Sequence, residues 1–190
     1  MQNTQILFKS RPEGMPAESN FEIVKTEMPK GDVVRRTLYL SVDPYMRGRM
    51  SDQKSYAEGA KLGQTMVGQT VSRVIESKSP NFKPGDVVLT YDGWQEFAAS
   101  DGRDLRKVDA SIVPPSWYLG VLGMPGLTAY VALLDIGKPK PGETVVVSSA
   151  AGAVGTIAGQ MAKIKGCRAV GVAGSEAKCR FVVDDLGFDA

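Results

Sequence analysis

The stretch from Glu143 to Lys178 constrains this chain more than any other. Val145-Val146-Val147-Ser148-Ser149 reads as a strand, and a turn of small residues follows, Ala150-Ala151-Gly152-Ala153-Val154-Gly155. An amphipathic helix is expected to about Lys165, where Gly166 stops it. A second strand runs from Cys167 to Ala173 and ends at Gly174-Ser175. Strand, turn, helix and strand within about thirty residues is the size of a dinucleotide-binding βαβ unit.

Each residue type in the turn has a physical job. A side chain beside a pyrophosphate would hold the backbone away from it. Glycine and alanine let the N–H groups approach, and a helix N-terminus offers unpaired donors and the positive end of its dipole. The usual spacing is G-x-G-x-x-G; here its three positions hold Ala150, Gly152 and Gly155. An alanine can make the tight turn if its φ stays negative. Gly159, four residues after Gly155, would allow helix and sheet to pack closely. The alternative is an ordinary strand-to-helix connection packed for shape. The strand before the turn and the helix and strand after it favour the nucleotide reading.

The tip of the second strand bears on which nucleotide. An NAD site usually has Asp or Glu there to hold the ribose 2′-hydroxyl. This chain has Val172-Ala173-Gly174-Ser175, with Lys178 one turn into the next helix. Without the carboxylate there is no repulsion against a 2′-phosphate, and Ser175 and Lys178 offer hydrogen bonds and charge. NADP(H) is therefore favoured. Lys178 otherwise reads as a solvated helix residue, and Glu176 nearby weighs against the phosphate.

The 190 residues are 43% hydrophobic and 23% charged, enough for one medium domain or two small ones. The net charge of +2, with both signs interspersed, gives no sign of a nucleic-acid or membrane surface. The polar opening Met1-Gln2-Asn3-Thr4-Gln5 has no signal-peptide character. Cys167 and Cys179 are the two cysteines and have neither disulfide nor zinc spacing, so a cytoplasmic protein is expected. Histidine is absent, which excludes Ser-His-Asp and Cys-His catalysis and argues against a metal site. Hydride transfer requires neither, because a cofactor carries its chemistry.

Residues 1–110 read as strand-rich. Strands are expected at Thr4 to Lys9, Phe21 to Glu27 (half-buried, with Phe21 and Ile23 inward), Val33 to Ser41 and Val67 to Glu76. Further strands are expected at Val87 to Tyr91, Trp94 to Ser100 and Leu105 to Val108. Pro84-Gly85-Asp86 is a turn, and Asp92-Gly93 reads as a hairpin turn between the two strands around it. Val42 to Met50 reads as irregular, a surface loop anchored by Tyr45 and Met46, and Gln53 to Leu62 as a polar, mobile loop. Pro114-Pro115-Ser116 marks a junction, placing domains at 1–115 and 116–190. Ser116 would cap a short helix through Val121, Gly123-Met124-Pro125-Gly126 would break it, and Leu127 to Leu134 would form another. Ser175 would cap a helix through Leu186, with Phe188-Asp189-Ala190 leading into a third strand. Short strands followed by a βαβ unit suggest an α+β barrel joined to an α/β domain.

Three longer motifs carry a resemblance. They are Leu38 to Met50 (LYLSVDPYMRGRM), Gly120 to Tyr130 (GVLGMPGLTAY), and Ala150 to Gly155 with Lys163-Ile164-Lys165-Gly166-Cys167. With these the chain resembles the medium-chain dehydrogenase/reductase superfamily, and within it the zinc-independent alkenal, prostaglandin and curcumin reductases. The resemblance implies a GroES-like barrel domain followed by a Rossmann domain of which this chain holds the first βαβ unit. It implies NADP(H), with Gly152, Ala153, Val154 and Gly155 on the pyrophosphate and Lys178 on the 2′-phosphate. It places Met124 and Thr128 near the cofactor and Tyr45 on the wall of a substrate cleft; Tyr130 reads as core packing. The turn from Pro29 to Val33 looks shorter than is usual in the family. The rest of the nucleotide sheet, the family's tyrosine proton donor and the strands that complete the barrel are expected in a segment beyond Ala190, so no catalytic acid is assigned.

The expected activity is NADPH-dependent reduction of the carbon–carbon double bond of α,β-unsaturated ketones or aldehydes, as part of a longer enzyme. A second expectation is of another class: a non-catalytic fragment or interaction module. An open sheet edge and apolar faces predict a homodimer or poor solubility. Quinone reductase is a further alternative; alcohol dehydrogenase is disfavoured by the lack of zinc ligands.

Overall fold

Runs of Val, Ile, Thr and aromatic residues between Gly and Pro turns build the first half of the chain from strands. The computed structural model describes residues 1–53 and 57–190. They divide into two units, Met1–Ser116 and Trp117–Ala190. The polar loop expected over Gln53 to Leu62 falls in part on residues 54–56, which lie outside the described residues.

In the first unit, β1 (Gln2–Phe8) and β2 (Phe21–Glu27) form an antiparallel hairpin. A five-stranded antiparallel sheet holds β3 (Val33–Leu40), β4 (Thr70–Ser77), β5 (Val87–Thr90), β6 (Phe97–Ser100) and β7 (Arg106–Lys107), in the order β6-β3-β4-β5-β7. β1 is tied to the segment before β6 by the Ile6 N–H to the Trp94 carbonyl (2.9 Å) and the Glu96 N–H to the Thr4 carbonyl (3.0 Å). Phe8, Met46, Met50, Ala60 and Met66 fill one apolar cluster; Val33, Val74 and Val88 fill a second.

Three expectations change here. The strands around Asp92-Gly93 do not pair with each other: β5 pairs with β4 and β7, and β6 crosses to β3. The reason is the Asp92 side chain, which is committed to β3. Arg35 on β3 grips it with Nε at 3.0 and 2.9 Å from its two carboxylate oxygens, and Nη2 adds a third contact. Ser72 Oγ donates to Asp92 Oδ2 at 3.0 Å, and Arg35 Nη1 donates to the Val33 carbonyl (3.2 Å) and Ser100 Oγ (3.1 Å). Both charged side chains are at least 97% buried, so the pair depends on these further hydrogen bonds. Secondly, Ile23 faces outward, 72% exposed, because β2 pairs only with β1; Phe21 alone turns inward, its ring 5.3 Å from that of Trp94. Thirdly, the segment expected to be irregular contains a short helix, α1 (Tyr45–Arg49). Pro44 already has helical φ and starts it, and Met46 and Met50, one turn apart, anchor it in the core.

In the second unit, a 3-10 stretch at Pro115–Leu119 crosses the unit boundary and is shorter than the expected helix to Val121. The helix α2 (Met124–Tyr130) starts inside the segment expected to be a breaker. Pro125 sits in its first turn, where a missing N–H costs nothing, and a Cβ on Gly126 would lie 1.8 Å from the Val121 carbonyl oxygen. Glycine is there for packing, and the helix runs on in a wider π-type turn to Gly137. β8 (Thr144–Ser148) and β9 (Arg168–Val172) pair in parallel, joined by α3 (Gly155–Ile164). Gly166, with φ +76°, ends that crossover. Ser175 caps α4 (Glu176–Arg180), accepting from the Lys178 N–H at 3.4 Å, and a π-type turn continues to Asp185.

The core of this unit is Val147, Ala150, Ala162, Cys167, Ala169, Val182 and Phe188. Most of these are small, so the backbones lie close. A Cβ on Gly159 would fall 1.7 Å from Phe188 Cζ: the glycine opens α3 to this ring, where sheet packing had been expected. Phe188-Asp189-Ala190, expected to lead into a third strand, form no strand within these residues but run beside β9 through two backbone bonds, Asp189 N–H to the Ala169 carbonyl (2.8 Å) and Gly171 N–H to the Ala190 carbonyl (2.7 Å). The Asp189 carboxylate accepts from Lys163 Nζ (2.6 Å) and the Ala169 N–H (2.7 Å), which hold it below the usual carboxylate range.

Candidate cofactor-binding site

The turn between β8 and α3 is built by exclusion. A Cβ on Gly155 would lie 2.4 Å from the Ser149 carbonyl oxygen and 2.8 Å from Ala150 Cα, both backbone atoms that cannot swing aside. A Cβ on Gly152 would lie 3.0 Å from the same carbonyl oxygen. The Gly152 N–H donates to that oxygen at 2.8 Å, and the Thr156 N–H returns to the Gly152 carbonyl at 2.9 Å. Gly152, Ala153 and Val154 are exposed, while Gly155 is buried. No side chain caps the N-terminus of α3. Exposed backbone, no obstructing side chain and an uncapped ten-residue helix fit an anionic group such as a pyrophosphate.

Ala150 is fully buried and does not carry a positive φ. Its methyl sits against β9 where Gly171 has no side chain; a Cβ there would lie 2.9 Å from Ala150 Cβ. The left-handed backbone of this turn belongs to Ser149, with φ +49°. Neither Ser149 nor Gly171 figured among the expected site residues. A lone glycine in mid-strand is a legible sign of close approach; nothing in the order Ser148-Ser149-Ala150 marks which of them takes the unusual φ.

At the tip of β9, Gly174 has no atom within 4 Å of a built Cβ, which leaves open space beside Ser175. The Glu176 carboxylate is engaged by Arg180 at 3.3 Å, one turn on. Among the described residues no carboxylate pairs with Lys178. The acid that weighed against a 2′-phosphate is thus occupied, and the lysine is not.

Met124 and Thr128 lie one turn apart on α2, which packs against α3. Thr128 Oγ1 donates to the Met124 carbonyl at 2.8 Å, leaving the hydroxyl oxygen able to accept. Tyr130, expected in the core, is 50% exposed, because Pro125, Gly126 and Ala129 form the buried side of this helix. Tyr45 lies in the first unit, half-buried at the start of α1 against the methionine cluster. The structure therefore brings together Met124, Thr128, Gly152, Ala153, Val154, Gly155, Ser175 and Lys178 in one unit and puts Tyr45 in the other. Among the described residues no group of three or more His, Cys, Asp or Glu side chains is placed to hold a metal ion, and no helix is long and apolar enough to cross a membrane.

A sheet of antiparallel strands followed by a parallel βαβ unit with a glycine-tight turn is an arrangement that suits nucleotide-dependent oxidoreductases. Residues 4–108 match the family described as the N-terminal domain of oxidoreductase, and the chain belongs to that family, within the medium-chain dehydrogenase/reductase superfamily. It is 53% identical to the NADPH-dependent curcumin reductase of Escherichia coli (strain K12) over 190 residues, covering 98% of this chain and 55% of that protein. It is 48% identical to prostaglandin reductase 1 of Rattus norvegicus, covering 95% of this chain and 54% of that protein. The crystal structure of CurA from Vibrio vulnificus in complex with NADPH superposes with a TM-score of 0.92 at 50% identity, covering 98% of this chain and 56% of that one. These likenesses agree with a GroES-like first unit. The chain spans about half the length of the curated relatives it matches.

Proposed function

We propose that this chain forms part of an NADPH-dependent reductase of the carbon–carbon double bond in α,β-unsaturated ketones and aldehydes. Residues 1–115 would be its GroES-like domain and 116–190 the opening of a Rossmann domain. The observation that carries the reading is the turn in which Gly155 and Gly152 leave no room for a side chain against the Ser149 carbonyl. The similarity to curcumin and prostaglandin reductases supports the substrate class.

Bound NADPH is the source of a hydride for the β-carbon of the enone. The chain's own residues bind and orient. The N–H groups of Ala153, Val154 and Gly155 hold the pyrophosphate at the uncapped end of α3, and Gly152, whose own N–H goes to the Ser149 carbonyl, lets the backbone come close to it. Ser175 and Lys178 hold the 2′-phosphate, a preference that needs the free lysine and the absence of an acid at the tip of β9. Met124 gives an apolar surface, and Thr128 an acceptor, to the nicotinamide end. Tyr45 lines the enone side. Alignment in a dry cleft is what such a reaction requires of the protein; the proton for the α-carbon is not assigned to these residues.

Cytoplasmic residence is supported by two free thiols, Cys167 and Cys179. Association as a homodimer is supported by apolar side chains left on one face of the β8–β9 pair, Val146 (64% exposed) and Val172 (56%). Sedimentation at several concentrations tests the dimer.

The test of the main reading is a titration of the 190-residue chain with NADPH and NADH, with loss of NADPH absorbance in the presence of a small enone followed in parallel. Tighter binding of NADPH by about tenfold or more is expected. Equal affinities would remove the argument for the 2′-phosphate, and no binding would remove the site.

A further inference from the structure

The first glycine of a dinucleotide-binding turn is read as the residue that makes the tight bend. Here that position is Ala150, and it does not make the bend. Two jobs that one glycine usually performs are divided between neighbours. Ala150 is fully buried, and its methyl fills the space that Gly171 leaves on β9. Ser149, exposed, carries the left-handed backbone, φ +49°. Outside glycine such a φ is uncommon, and it persists where the surroundings enforce it.

The neighbours of Ser149 hold it in that conformation. The Ala150 N–H donates to the Val172 carbonyl at 3.0 Å, which holds the chain to β9 just after the bend. The Ser149 carbonyl then turns under the loop. It accepts the Gly152 N–H at 2.8 Å, and it is the atom that a Cβ on Gly155 or Gly152 would strike, at 2.4 and 3.0 Å. One carbonyl thus faces both glycines, and at Gly155 the Ala150 backbone adds to the restriction, with its Cα 2.8 Å from a Cβ there. Ser149 has no other role in the described structure that requires a serine.

We propose that Ser149 is the positioning residue of the cofactor turn, acting through its left-handed backbone rather than its hydroxyl. Its conformation aims the carbonyl at Gly152, whose N–H it accepts, and at Gly155, and so presents the N–H groups of residues 153–155 to the pyrophosphate. The inference rests on the second unit being an NADP(H) site, and it goes beyond that reading by naming the residue that shapes it. Glycine reaches this φ freely, alanine and serine with difficulty, and a β-branched residue hardly at all.

The experiment compares Ser149→Gly, Ser149→Ala and Ser149→Val in the 190-residue chain. Binding of NADPH is followed by its fluorescence, and binding of 2′-AMP, which has the 2′-phosphate but no pyrophosphate, by calorimetry. Ser149→Gly should bind NADPH within about twofold of the unsubstituted chain, because the backbone is retained. Ser149→Val should weaken NADPH by about tenfold or more while 2′-AMP stays within about twofold, because the phosphate at Ser175 and Lys178 does not touch the turn. A general loss of folding would weaken both ligands alike. If Ser149→Val fails to fold, Ser149→Gly against Ala decides, with glycine the tighter binder. Equal NADPH affinity in Val and unsubstituted chains, or a loss in Gly as large as in Val, overturns the proposal. If the unsubstituted chain binds 2′-AMP and not NADPH, the turn does not hold a pyrophosphate and the proposal falls while the 2′-phosphate site stands. If it binds neither, the cofactor reading itself falls.

Discussion

The two units solve the same packing problem in opposite ways. The first encloses a charge: Arg35 and Asp92 are buried together, and Ser72, Ser100 and the Val33 carbonyl satisfy what the pair leaves over. The second packs its backbones close around Val147, Val182 and Phe188: Ala150, Ala162 and Ala169 are fully buried, and Gly155, Gly159 and Gly171 each stand where a methyl would meet another atom at under 3 Å. The first interior is therefore sensitive to removal and the second to addition. A buried ion is strongly destabilised when its main partner goes, because little solvent reaches the remaining charge. A close-packed backbone loses when volume is inserted, because its neighbours cannot move apart without breaking hydrogen bonds. The difference suits what each unit holds. A turn that must present bare N–H groups to an anion needs glycine where a side chain would strike the backbone, as at Gly155.

The contrast can be broken experimentally, and the tryptophans make this direct. Trp94 lies in the first unit and Trp117 in the second, so fluorine NMR of a fluorotryptophan-labelled chain follows the unfolding of each separately. The largest effect is expected for Asp92→Ala, which leaves the buried Arg35 guanidinium with only the half-exposed Asp104 carboxylate, 3.6 Å away, as its charged partner: a loss of about 3–5 kcal/mol from the first unit in urea unfolding, with the Trp117 signal unmoved. The double change Arg35→Met with Asp92→Leu should recover most of that loss, since apolar groups of similar volume replace a buried pair at little cost. A double variant as unstable as the single one would show that the network, not the stranded charge, sets the stability.

Next comes Gly155→Ala, which adds a methyl against backbone atoms. A loss of about 1–3 kcal/mol from the second unit is expected, with NADPH binding reduced and Trp94 silent. Unchanged NADPH affinity would mean that the turn relaxes without cost. Smaller again is Lys178→Ala, expected to weaken NADPH by about tenfold, near 1.4 kcal/mol, while NADH changes by less than about twofold. Equal losses for both would show that the lysine does not read the 2′-phosphate.

The smallest effect concerns pH. Hydrogen bonds from Lys163 and the Ala169 N–H hold the Asp189 carboxyl below its ordinary value, so folding favours the carboxylate. That stabilisation is fully present above the unfolded carboxyl's pKa of about 3.9 and is lost as the pH falls through the folded value below it. The stability difference between the Asp189 and Asp189→Asn chains should therefore be constant near neutrality and narrow below about pH 4, read from Trp117. A difference that widens on acidification would reverse the assignment.

Much of the second unit was legible because its rules are local. The spacing of Gly152, Gly155 and Gly159, the stop at Gly166 and the cap at Ser175 each concern residues within a turn or two of one another. Steric limits at that range act whatever the rest of the chain does. The breaker read into Gly123 to Gly126 failed for a related reason: a proline in a helix's first turn and a glycine at a packing contact resemble a break when their neighbours are unseen.

The amino-acid sequence by itself determined the run of strands in the first unit, the strand–turn–helix–strand unit, the residues small enough for a phosphate turn and the lack of histidine. These follow from side-chain size and backbone freedom, properties of single residues and short spacings. Only the tertiary structure decided which strands pair, which way Ile23 faces, that Asp92 belongs to Arg35 across 57 residues of chain, and that Ser149 rather than Ala150 makes the bend. Those outcomes depend on groups brought together from distant positions, where the winning contact is set by what else is buried beside it.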